Sequence, residues 1–187
     1  MGGSKVRQGG GRAHFEKSHL ATIFSSSIYS DGHRPIAGGG EAAYWIPLLA
    51  AMTGMRLEEI GCRQVDEIKE RDGIAFIEVH DRGEGQSVNT EGSRREVPIH
   101  SELVRLGFLH YVKHVRAGRH QRLFPDLRRA GSAVQKGKAT KTFSHWWGRW
   151  MESELKIPDP GLVFHSFRHA FKRFARDAES TRRFTTC

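Results

Sequence analysis

The sequence predicts an α+β fold, mainly helical with one small antiparallel β-hairpin, and three observations carry that expectation. Apolar residues recur at three- and four-residue spacing over 41–60, 101–115, 142–155 and 164–174. β-rich runs occur only between 73 and 99, and a polar, glycine-bearing stretch separates them. The chain has 187 residues and is 37% hydrophobic, which suits one domain around one core.

The elements follow in chain order. MGGSKVRQGGG (1–11) reads as a flexible leader. Residues 12–40 mix short apolar patches with Ser, Gly and Pro35 and end in Gly38-Gly39-Gly40, so 1–40 read as leader and linker and 41–187 as the domain. From Glu41 a helix apolar on most sides runs to a break at Thr53-Gly54, and Arg56 to Ile60 resumes a short helical turn. GIAFIEVH (73–80) follows the Asp72-Gly73 turn and predicts a strand, with Arg94 to Ile99 as its return strand. Ser101 is placed to cap one helix through Leu103, Leu106, Leu109, Val112 and Val115. A further helix starts near Thr142, where Phe143, Trp146, Trp147, Trp150 and Met151 form a stripe that predicts core rather than a base-stacking platform. The last helix follows Ser166, with Phe164, Phe167, Phe171 and Phe174 along its inner edge.

Composition narrows the function. Two cysteines, Cys62 and Cys187, supply neither a disulfide framework nor a zinc site. No apolar run is long enough to span a bilayer and no secretion signal opens the chain, so a cytoplasmic protein without a membrane partner is expected. The net charge is +9 with a sequence pI near 10.0. From residue 121 onward fourteen Lys and Arg face six Asp and Glu, interleaved with Phe and Trp rather than gathered in a polar tail. That pattern predicts a folded basic face, and nucleic acid is the polyanion it suits. Arg128-Arg129, Lys136, Lys138 and Lys141 could touch phosphates or form a solvated loop; His110 and His114 share a helix face without a third metal ligand.

Phe164-His165-Ser166-Phe167-Arg168-His169 is the most informative stretch. With Ser166 as cap, His165 and Arg168 flank a helix N-terminus whose free N–H groups already favour phosphate. Arg168 adds a bidentate fork and His165 a group that exchanges protons near neutrality. Lys172 and Arg176 continue the basic side at steps of four. A capped amphipathic helix with a solvated basic face is the plainer alternative. Arg56, just after the Thr53-Gly54 break, is the second phosphate candidate, or else a helix-start arginine paired with Glu59.

Taken together, TGMRLEEI (53–60), SRREVPIH (93–100) and HSFRH (165–169) resemble, in order and spacing, three boxes of the catalytic domain of the tyrosine recombinase or phage integrase family. The resemblance covers about residues 20–178. It implies DNA strand breakage and rejoining through a phosphotyrosine linkage, with double-stranded DNA and further recombinase protomers as partners. Carried over by box, Arg56 is the first arginine, His165 the histidine of His-x-x-Arg and Arg168 the second arginine; Arg56, Arg168, Lys172 and Arg176 are the DNA-binding candidates. Two fixed guanidinium groups stabilise the charge that gathers on a pentacoordinate phosphate, so no metal or other cofactor is expected.

The chain departs from the family pattern in two places. Tyr29, Tyr44 and Tyr111 all precede His165, whereas the family nucleophile follows that box. No lysine lies between Lys69 and Lys113, and Val88-Asn89-Thr90 stands where the hairpin lysine is expected. The expectation is therefore a C-terminally incomplete recombinase domain that binds DNA and does not cut it alone. The alternatives are a recombinase whose tyrosine comes from another chain and a non-enzymatic basic nucleic-acid-binding module.

Overall fold

The computed structural model describes residues 13–80, 95–128 and 138–185. The glycine-rich leader, the Val88-Asn89-Thr90 stretch, Arg129 and Lys136 lie outside the described residues, as do the side chains of Arg128 and Lys138. Helices α1 (Lys17–Phe24), α2 (Ser27–Ser30), α3 (Glu41–Thr53) and α4 (Leu57–Gly61) come first. Strands β1 (Ile68–Arg71), β2 (Ile74–Val79) and β3 (Arg95–Pro98) then form an antiparallel sheet in the order β1-β2-β3. Helices α5 (Ser101–Arg105), α6 (Phe108–Ala117), α7 (Lys138–Ser153) and α8 (Ser166–Thr185) complete an α+β architecture.

The sheet is one strand larger than the sequence predicts. Asp72 and Gly73 have φ of 53° and 76°, the two positive values of a type I′ turn, which sets Arg71 opposite Ile74. The strand before that turn, Ile-Lys-Glu-Arg, buries only Ile68 and shows no alternation, so it carries no period-two signal. Its polar edge is held by ion pairs, Lys69 with Glu78 and Arg71 with Glu96, of the exposed kind that contribute little stability.

Residues 13–40 are not a linker. Phe15, Ile23 and Ile28 are fully buried in the main core, and the Phe15 ring lies 4.6 Å from that of Phe167 on α8. Three isolated apolar anchors among Ser, His and Gly suffice to dock two short helices, although composition there reads as loop. The helix expected from Ser101 is also two helices. Gly107 adopts φ 92° between α5 and α6, and the His100 side chain, not Ser101, caps α5 by accepting from the Glu102 N–H at 3.1 Å. The turn displaces Leu106 to a surface position.

Helix α3 is buried over most of its length, as its all-round apolarity predicts. Gly54 ends it at φ 64°, the left-handed cap that glycine adopts without steric penalty. A Cβ on Gly54 would lie 2.5 Å from Cδ1 of Phe171, so glycine also permits α8 to approach. Phe143, Trp146, Trp147, Trp150 and Met151 are buried, which places the tryptophan stripe of α7 in the core. Below α4, the buried Arg63 donates from Nη1 to the Glu78 carbonyl at 2.9 Å and pairs with Glu67 at 3.2 Å. Glu67 in turn faces His80 at 3.2 Å, so one network fastens the sheet to the end of α4. Among the described residues no helix is long and apolar enough to cross a membrane.

Candidate functional site

Three segments far apart in sequence bring their charged side chains to one place. The first is the turn after α3. Arg56 is the N-cap of α4, extended at φ −76° and ψ 156°, and its N–H donates to Oε2 of Glu59 at 2.8 Å. Its Nη1 lies 3.7 Å from Oε1 of the same carboxylate. The helix-start pairing of Arg56 with Glu59 therefore exists, and Glu59 itself is buried.

The second segment is β3. Arg95 donates Nη1 to Oε1 of Glu59 at 3.2 Å and Nη2 to Oε2 at 2.9 Å, the fork-on-fork geometry that fixes both groups. Sequence reasoning quoted this residue inside its return-strand box but gave it no role. The available signal was the strand's period of two, since Arg95 shares the inward side with Val97 and the buried Ile99.

The third segment is the first turn of α8. Arg168 donates Nη1 to the Gly54 carbonyl at 2.5 Å, across 114 residues of sequence. Arg56, His165 and Arg168, picked out separately from the sequence, are thus near neighbours. One expected detail differs: the buried Ser166 hydroxyl accepts from the Val163 N–H at 3.2 Å, upstream, instead of capping α8. Lys172 and Arg176 are exposed further along α8.

The electrostatics agree with the geometry. Burial opposes ionisation of Glu59, but the Arg95 hydrogen bonds, the Arg56 N–H and the charges of both arginines outweigh it and hold the carboxyl below its ordinary range. Burial lowers the Arg168 pKa, Glu59 opposes that effect, and Arg56 and Arg95 add to it. Burial of its ring comes first in lowering the His165 pKa from the ordinary 6.5, followed by His169, Arg168 and Arg56. The rings of His165 and His169 lie 4.8 Å apart, edge to face. Three guanidinium groups around one carboxylate leave a surplus of positive charge, and the side chains of Arg56 and Arg95 keep 37% and 35% exposure. A doubly oxygenated anion can displace water there and collect several charge-assisted hydrogen bonds.

Among the described residues no group of three or more His, Cys, Asp or Glu is placed to hold a metal ion. The tyrosines are partly buried against the core. Tyr29 donates its hydroxyl to the Tyr44 carbonyl at 3.1 Å and Tyr111 to that of Leu123 at 2.6 Å. Burial, then the neighbouring Tyr44, raises the Tyr29 pKa well above 10.0, which leaves it a poor nucleophile at neutral pH. The Tyr44 ring stands edge-on to Trp45, with the Arg34 guanidinium 4.1 Å above its face.

A pH dependence follows. An anion beside His165 raises its pKa, so binding takes up protons and tightens as pH falls through the interval between the free and bound values. Calorimetry of inorganic sulfate binding in two buffers of different ionisation enthalpy is expected to show proton uptake that grows as pH falls from 6.5 toward the lowered value of free His165. His165→Gln is expected to abolish most of that uptake; equal uptake in the variant assigns the proton elsewhere.

No protein-family model, curated protein or solved structure matches this chain.

Proposed function

We propose that this chain is a tyrosine-recombinase catalytic-domain relative that binds double-stranded DNA by clamping a backbone phosphate between Arg56 and Arg168, and that it does not cut DNA with the tyrosines it carries. The observation that supports this reading most is the Arg168 hydrogen bond to the Gly54 carbonyl. It brings the segments of the two arginine boxes together across 114 residues of sequence, and neither box has a local reason to meet the other. Arg95 strengthens the clamp by holding Glu59, which in turn orients Arg56. Lys172 and Arg176 extend the cationic surface beyond the clamp, where they add affinity without positioning a particular phosphate.

Titration of a labelled duplex over a salt series tests the clamp. Arg168→Ala is expected to weaken binding about 10- to 100-fold, the range for removing a hydrogen bond to a charged group. Lys172→Ala is expected to cost about one unit of salt slope and little more. Equal losses from the two changes would mean a diffuse basic surface and overturn the clamp. In parallel, incubation with nicked duplex is expected to give no covalent protein–DNA adduct on a denaturing gel. An adduct mapping to Tyr29, Tyr44 or Tyr111 would refute the claim that these tyrosines do not cut.

A further inference from the structure

The two histidines that sequence analysis left without a role, His110 and His114, lie on a second basic surface. From Leu106 to Arg122 there is no Asp or Glu. Basic side chains recur there at every third position: His110, Lys113, Arg116, Arg119 and Arg122. On α6 the inward face is Phe108, Val112 and Val115, and His110, Lys113, His114 and Arg116 are exposed. Residues at i and i+3 share one ridge of a helix, with successive members about 4.5 Å apart along the axis. Arg119 follows the helix end in a left-handed turn at φ 56°, and it is exposed.

Its place in the fold separates this ridge from the arginine clamp. Arg116 donates Nη2 to the Val65 carbonyl at 3.1 Å and to that of Ile68 at 3.4 Å, which seats α6 beside β1. Arg95 of the clamp is on β3, the opposite edge of the three-stranded sheet. Glu102 at the start of α5 is paired with Arg105 at 2.7 Å, and of the two acids that act on Tyr111 of α6, Glu41 and Asp126, Glu41 is paired with Arg34 at 2.8 Å.

We infer that the α6 ridge is a second nucleic-acid surface, which tracks the phosphate backbone of a duplex segment other than the one held at the clamp. An acid-free run with exposed cations, Lys113 and Arg116 on α6 and Arg119 just beyond it, matches a polyanion backbone better than it matches the irregular carboxylates of a protein patch. The aromatic side chains of α6, Phe108 and Tyr111, turn into the core, so the surface offers no stacking platform and reads backbone rather than bases. The ridge shares with the proposed clamp only its ligand class, and its argument uses none of the clamp's residues.

The test uses the full chain and the double variant Lys113→Gln/Arg119→Asn. It leaves Arg116 and Arg122 in place, and asparagine tolerates the left-handed turn. Two readouts are combined: the salt slope for a labelled duplex, and retention of that duplex on beads carrying an unlabelled duplex. The double variant is expected to lose about two units of salt slope and to lose bridging between duplexes, with an unchanged melting temperature. Lys113→Arg/Arg119→Lys is expected to keep both. Unchanged slope and bridging in the double variant would overturn the inference, as would stronger competition by polyglutamate than by duplex at equal charge. Loss of bridging in the double variant while Arg168→Ala has no effect would retain this surface and remove the clamp, so the two proposals fail separately.

Discussion

Replacing Gly54 with alanine is expected to lower the stability of the domain by about 3 kcal/mol. A left-handed backbone costs a non-glycine residue about 1–2 kcal/mol, and the new methyl would begin 2.5 Å from Cδ1 of Phe171. Relieving such an overlap by shifting a packed ring costs a further 1–3 kcal/mol. For a domain of this size each kcal/mol moves the melting temperature by about 2–4 °C, so a thermal scan should show a drop near 6–12 °C. Gly54 also supplies the carbonyl that holds Arg168, and phosphate affinity should fall with stability. Adding Phe171→Leu to Gly54→Ala is expected to recover part of the melting temperature by removing the overlap, while the backbone cost stays. Indifference to Gly54→Ala in both readouts would mean that α3 and α8 do not meet as described.

Glu59→Gln has the second largest expected effect. It keeps the shape of the side chain but removes the charge that Arg95 and Arg56 share. Removing one partner of a fully buried ion pair costs about 3–5 kcal/mol. Here Arg95 and Arg56 are 35% and 37% exposed, and solvent screening brings the expected loss to about 2 kcal/mol. The pH dependence is specific. The folded-state pKa of Glu59 is lowered from the ordinary 4.5, so its contribution is fully present above pH 4.5 and fades as pH falls through the depressed value. Denaturant titrations of parent and variant should therefore differ at pH 7 and converge under acid conditions. A gap that stays constant down to pH 2 would assign the loss to packing rather than charge.

What the sequence revealed depended on whether the signal was local. Arg56 and Arg168 stood out because each adjoins its own punctuation, the Thr53-Gly54 break for one and the His-x-x-Arg stretch for the other. Helices α3, α7 and α8 were legible because their apolar stripes are long. Arg95 was not assigned, because its inward side shows only when the alternation of the strand is followed through Val97 to the buried Ile99. Strand β1 was hidden by its polar sequence, which an edge position permits. Residues 13–40 misled for the opposite reason. Phe15, Ile23 and Ile28 are too widely spaced to form a pattern, yet each reaches the core once α3 and α8 have made room for it.

The hydrogen bond between Arg168 and Gly54 also fixes when the candidate site can exist during biosynthesis. Closing a loop of 114 residues costs about 4 kcal/mol in chain entropy, which one hydrogen bond cannot offset. The contact therefore depends on the packing of α8 against the end of α3, where Phe171 meets Gly54, and it exists only once α8 has been made. A nascent chain that has emerged only through α7 carries Arg56, Arg95 and Glu59 but no second arm of the clamp. Such a chain would hold the Arg56–Glu59–Arg95 group without Arg168, so the proposed phosphate clamp would be complete only when α8 docks.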